Sequence, residues 1–93
     1  MTMPDLTTLR QDIDQLNREL ERLLIKRFAL VKQVAAHKAR TQQPVCDPQR
    51  EAAILAQLGQ STPELQPALQ AIFQTIMTQS RTLEQTLLTK EEP

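Results

Sequence analysis

The chain has no Trp or Tyr and only two Phe in 93 residues. Recognition of single-stranded nucleic acid leans on aromatic stacking platforms, so the composition argues against it. Charge of one sign is missing too. Lys plus Arg equals Asp plus Glu, eleven each, which argues against a sequence-blind nucleic-acid or membrane-surface binder. The single cysteine, Cys46, cannot close an internal disulfide, which fits a reducing compartment. The single glycine, Gly59, leaves no Gly-rich phosphate loop, and no Cys/His spacing suits a metal. No apolar run approaches a membrane span, and Met1-Thr2-Met3-Pro4-Asp5 carries no apolar h-region. A cytoplasmic protein of one domain at most, with a thin core if alone, is the expectation.

What is present is a long, uninterrupted helical pattern. From about Asp5 to Thr41 there is no Gly and no Pro. Apolar residues fall at Leu6, Leu9, Ile13, Leu16, Leu20, Leu23, Leu30 and Val34. Steps of three and four make the seam of a helix that packs along its length. Such a helix is about 54 Å long at 1.5 Å per residue. A compact domain of this chain length has a radius of gyration near ~12 Å, so the seam is expected to continue onto a second chain.

Two cations interrupt this stripe. Arg27 stands where the repeat after Leu23 asks for an apolar residue, and Lys38 follows Val34 by one turn. They are eleven residues apart, roughly 16 Å along one face. Arg10 is seventeen residues before Arg27, about 25 Å along the axis. It cannot share a small site with Arg27 of its own chain, whereas the Arg10 of an antiparallel partner could.

Thr41-Gln42-Gln43-Pro44 ends the first helix, because the residue before Pro is pushed out of the α region. Asp47-Pro48 reads as an N-cap and a first-turn Pro, opening a second helix over 48–58. Gly59 sits where a C-terminal glycine belongs. Ser61 and Glu64 have capping-box spacing ahead of a third helix over 65–89, with Pro67 in its first turn. Its stripe is Leu69, Ile72, Phe73, Ile76, Met77, Leu83 and Leu87, with Ser80 between Ile76 and Leu83 and Glu84 bordering the same face. The tail Lys90-Glu91-Glu92-Pro93 is expected to fray. The whole is an all-α chain of one long, one short and one medium helix.

Arg27, Lys38, Arg50, Glu51, Ser80, Glu84 and the cap Asp47 are the polar residues on or beside burying stripes. Singly, each has a structural explanation. An Arg on a seam pairs with a carboxylate or snorkels, and a helical Ser bonds the carbonyl one turn back. Together, three cations and a fourth from a partner exceed the inward carboxylates. That excess suits a small dianion, most simply a dicarboxylate, gripped by Arg forks and Lys. No nucleophile has a base beside it, since His37 stands on another element from Cys46. Such a site suits binding, or a reaction that needs only positioning and charge stabilisation.

Leu9-Arg10, Ile13-Asp14, Leu23-Leu24, Arg27, Leu30-Val31, Val34-Ala35, Lys38, Pro44-Val45-Cys46-Asp47-Pro48-Gln49-Arg50-Glu51 and Ile76-Met77 leading to Ser80 resemble the all-α chorismate mutases. The likeness runs from about Leu6 to Leu88, and Pro-Val-x-Asp-x-x-Arg-Glu after Lys38 is its most specific part. It implies three helices per chain in an intertwined homodimer, with each site completed by an Arg from the partner. Carried over, the partner's Arg10 and Arg27 grip the substrate carboxylates, and Lys38 reaches a carboxylate and the ether oxygen. Asp47 and Glu51 hold the ring hydroxyl, Arg50 and Ser80 complete the pocket, and Glu84 faces the ether oxygen opposite Lys38. Lys38, Glu84 and Arg27 are the catalytic set this implies, with no cofactor.

The implied reaction is the Claisen rearrangement of chorismate to prephenate, at the branch toward Phe and Tyr. One departure stands out: many members carry Gln where this chain has Glu84, and Glu donates a hydrogen bond only when protonated. Otherwise Glu84 pairs with Arg81 or another cation at the surface. Two other readings compete. Isochorismate-pyruvate lyases share the fold and the Arg and Lys positions but lack the Asp-x-x-Arg-Glu arrangement. A non-catalytic helical dimer, an adapter or regulatory domain, would have no need of charges on burying stripes.

Overall fold

A computed structural model describes residues 3–91, with the side chains of residues 88–91 left aside. Three α-helices follow one another: α1 Leu6–Thr41, α2 Pro48–Gln57 and α3 Gln66–Glu91. A 3-10 turn, Pro63–Leu65, precedes α3. There is no strand among the described residues, so the fold is all-α as the periodicity requires. No helix among them is long and apolar enough to cross a membrane. The chain comprises two compact units that meet in sequence between Leu30 and Val31.

The first unit holds the greater part of α1. Asp5 caps it: the Thr8 N–H donates to Asp5 Oδ1 at 2.8 Å, and the Leu9 N–H donates to the Asp5 carbonyl at 3.1 Å. The Thr8 N–H is a donor that a helix start otherwise leaves without a partner, and the Leu9 bond is the first of the helix's own. The Thr8 backbone bond, and then the Thr8 side chain, hold the Asp5 carboxyl below its ordinary pKa. The expected seam is exposed within one chain. Leu6, Leu9, Ile13, Leu16, Leu20, Leu23 and Leu30 are 44–61 % accessible.

The second unit holds the last turns of α1, then α2 and α3. At the end of α1 the Gln43 N–H reaches the Lys38 carbonyl at 3.0 Å, and Gln42 is left-handed at φ 58°. That is a Schellman-type stop built on Gln rather than Gly. The Arg50 N–H donates to Asp47 Oδ1 at 3.1 Å, with Pro48 in the first turn, as expected for α2.

Three expectations are corrected here. Helix α2 ends at Gln57, with Leu58 extended at ψ 137° and Gly59 left-handed at φ 72°. The Ser61/Glu64 capping box does not form: Thr62 caps the 3-10 turn and makes no side-chain cap bond. Pro63 imposes its own tight turn there, because its fixed φ favours it. Finally, α3 runs on through Lys90 and Glu91 rather than ending at 89. The expected fraying of Glu92 and Pro93 lies outside the described residues.

Helix α2 packs on α3, and two α3 glutamines one turn apart meet its C-terminal carbonyls. The Gln70 Nε2 donates to the Leu55 carbonyl and the Gln66 Nε2 to the Leu58 carbonyl, both at 3.0 Å. The Leu58 carbonyl, left over at the helix end, is thereby satisfied, while the Leu55 carbonyl also accepts from the Leu58 N–H at 3.3 Å. The buried apolar residues among those described are Ala35 and Met77; the buried polar ones are Ser80 and Glu84. Met77, Ser80 and Glu84 succeed one another at helical spacing, so two polar residues occupy the buried line of α3.

Candidate active site

The second unit contains Lys38 on α1, Asp47 at the N-cap of α2, Arg50 and Glu51 on α2, and Ser80 and Glu84 on α3. Lys38 Nζ donates to the Val45 carbonyl at 2.8 Å and lies 3.6 Å from Glu84 Oε1. Side-chain exposures of 16 % and 7 % place this pair out of bulk water, where charges interact more strongly. An ammonium has three donors, so two engaged directions leave capacity for a substrate. Glu84 is 6 % exposed and pairs with Lys38, not with Arg81 at the surface. The Ser80 hydroxyl, 8 % exposed as a residue, donates to the Ile76 carbonyl at 2.8 Å, the back-bond usual for a helical Ser.

Glu51 sits in the first turn of α2 and is half-buried. Its Oε1 accepts from Nη1 of Arg81 across the α2–α3 packing. Arg81 Nη2 also donates to Thr78 Oγ1 at 3.2 Å. The hydrogen bond from Arg81 to Glu51, and the charge of that carboxylate, hold the Arg81 guanidinium above its ordinary pKa despite desolvation. Asp47 has Oδ1 committed to the Arg50 N–H and its carbonyl to the Glu51 N–H at 3.1 Å. Arg50 is exposed within one chain.

An open concavity of about 460 Å³ lies along the Lys38 end of this group. Gln43, Pro44, Cys46, Asp47, Pro48 and Gln49 line it with Lys38. Of the residues expected in the site, Lys38 and Asp47 border it. Cys46 is an exposed free thiol, and His37 is exposed. Arg10 and Arg27 belong to the first unit, Arg10 exposed and Arg27 half-buried.

Sequence reasoning missed two participants. The Val45 carbonyl is a backbone acceptor, which any residue type supplies. Arg81 had a faint signal: it is one of two cations on α3, the other being Lys90 near its end.

No solved structure matches the chain. Residues 9–85 match the family described as chorismate mutase type II, a span that includes α2, the Lys38–Glu84 pair and all but the last residues of α3. With three helices, no strand among the described residues and this match over most of its length, the chain belongs to the chorismate mutase type II family.

Proposed function

We propose that residues 1–93 act as one chorismate mutase domain, converting chorismate to prephenate in the cytoplasm for the branch toward Phe and Tyr. The observation that carries this reading is the Lys38–Glu84 pair, a cation and a carboxyl on a buried line in a family whose reaction is this isomerisation. The rearrangement is concerted: the ether C–O bond breaks as a C–C bond forms, with no covalent intermediate. The protein must hold the enolpyruvyl side chain folded over the ring, a proximity effect. It must also stabilise negative charge growing on the ether oxygen.

Lys38 donates to that oxygen in this reading, an interaction worth about 3–4 kcal/mol by analogy with oxyanion holes. Glu84 addresses the same oxygen from the other side when it carries a proton, because only then does it donate. Two groups 3.6 Å apart that each reached one oxygen at about 2.9 Å would meet it from the same side. Admitting the ether oxygen between them therefore opens the pair. Arg27, with the partner's Arg10, grips the two carboxylates through planar forks. Glu51 accepts from the ring hydroxyl. Since the Asp47 carboxylate and carbonyl already serve the start of α2, Asp47 offers that hydroxyl its backbone N–H. Arg50 and Ser80 close the pocket.

The working form is a homodimer. Its support is the exposed line from Leu6 to Val34 on α1. Each Leu fully covered by a second copy contributes about 1.5–3 kcal/mol, a large return where so few of the described apolar residues are buried. The Asp47-x-x-Arg50-Glu51 arrangement favours mutase over isochorismate-pyruvate lyase. The test is a product assay with purified protein, wild type beside Lys38→Ala. Chorismate is expected to yield prephenate, with Lys38→Ala at least about a hundredfold slower. Pyruvate from isochorismate, with no prephenate from chorismate, would make the chain a lyase. No dicarboxylate binding by calorimetry would make it a non-catalytic dimer.

A further inference from the structure

Arg81 is not among the residues that the family resemblance supplies, yet it donates a hydrogen bond to Glu51 across the α2–α3 packing. Its guanidinium is held at two points, Nη1 on Glu51 Oε1 and Nη2 on Thr78 Oγ1 at 3.2 Å. The two charged side chains are 32 % and 24 % exposed, so the pair stands at the edge of the buried line rather than in open solvent. A planar guanidinium anchored twice fixes the carboxylate it holds, which a single flexible amine would do less well.

We propose that Arg81 is a positioning residue that sets the preference for the ring substituent. By offsetting the charge of Glu51, it tunes that position to a neutral hydroxyl and against an ammonium. The proposal rests on the reading of Glu51 as the hydroxyl contact. A carboxylate with one oxygen tied to Arg81 keeps lone pairs with which to accept from a hydroxyl. It attracts a second cation far less than a bare carboxylate does, because the guanidinium repels that cation from nearly the same distance. The analogue of chorismate with an amine in place of the ring hydroxyl carries such a cation at neutral pH, its nitrogen being on a saturated carbon. A guanidinium that merely staples α2 to α3 would show no such preference; its loss would weaken folding and slow both substrates alike.

The experiment compares kcat/KM for chorismate and for its 4-amino-4-deoxy analogue in wild type, Arg81→Lys, Arg81→Met and Arg81→Gln, with folding checked by circular dichroism. Arg81→Gln keeps a donor to Glu51 while losing the charge, so it separates staple from charge compensation even if Arg81→Met folds poorly. Wild type is expected to prefer chorismate. The amine-to-hydroxyl ratio should rise about tenfold or more in Arg81→Gln and Arg81→Met, and stay within about threefold of wild type in Arg81→Lys. An unchanged ratio in folded Arg81→Gln, or equal losses on both substrates, would overturn the inference and leave the proposed mutase activity standing. A wild-type protein inert toward chorismate would instead remove that activity, and this inference with it.

Discussion

Lys38 Nζ and Glu84 Oε1 stand 3.6 Å apart between α1 and α3, both largely out of water. A carboxylate cannot donate a hydrogen bond, whereas an amide can. The proposed role of Glu84 at the ether oxygen needs a donor. In Glu84→Gln the amide donates, so efficiency at neutral pH should increase. The check is kcat/KM for chorismate in both proteins at neutral pH. An unchanged kcat/KM would show that Glu84 is not the donor.

Two turns of opposite design give opposite expectations for stability. At Gly59, φ is 72°, and an added Cβ would come within 2.8 Å of the Gln66 Cα and 2.9 Å of its Cβ. The left-handed conformation alone costs a side chain about 1–2 kcal/mol, so Gly59→Ala should lose at least that much. Gln42 already bears a left-handed conformation at φ 58°. Gln42→Gly should gain up to about 1 kcal/mol, the relief being partly offset by a freer unfolded chain. Urea denaturation of the two variants measures both; a stabilised Gly59→Ala would contradict the account of the turn.

The cap of α1 is pH-sensitive with a definite sign. Thr8 holds the Asp5 carboxyl below its ordinary pKa, through its backbone N–H and then its side chain. A depressed carboxyl contributes stability that is fully present above its unfolded value and is lost as pH falls through the folded one. The melting temperature of Asp5→Ala should lie below that of wild type at neutral pH, and the gap should shrink as the solution is acidified into the carboxylate range. A gap that widens on acidification would reverse the assignment.

Much of this was legible in the chain. The step of three and four from Leu6 to Val34 specifies α1, and Asp5, Asp47-Pro48 and Gly59 mark where helices start and stop, because caps are local chemistry. Lys38, Ser80 and Glu84 were legible as polar residues at burying positions. The Pro63–Leu65 turn was not, because the Ser61/Glu64 spacing and Pro63 compete for the same residues and the Pro turn prevails. Nor was the Arg81–Glu51 pair, which spans thirty residues and depends on how α2 crosses α3. The Val45 carbonyl under Lys38 carries no side-chain signature at all.

The claim that each site is completed by a second chain rests on one helix. Arg10 and Arg27 both lie in the first unit of α1, seventeen residues and about 25 Å apart along the axis, too far for one small ligand. The most direct measurement is chorismate turnover by mixed dimers. Arg10→Ala and Arg27→Ala homodimers should each be nearly inactive. Unfolded and refolded together, they should form mixed dimers in which one site has both arginines and the other has neither. Each mixed dimer should recover up to about half the wild-type activity. No recovery, in mixed dimers proven by mass spectrometry, would contradict the two-chain site.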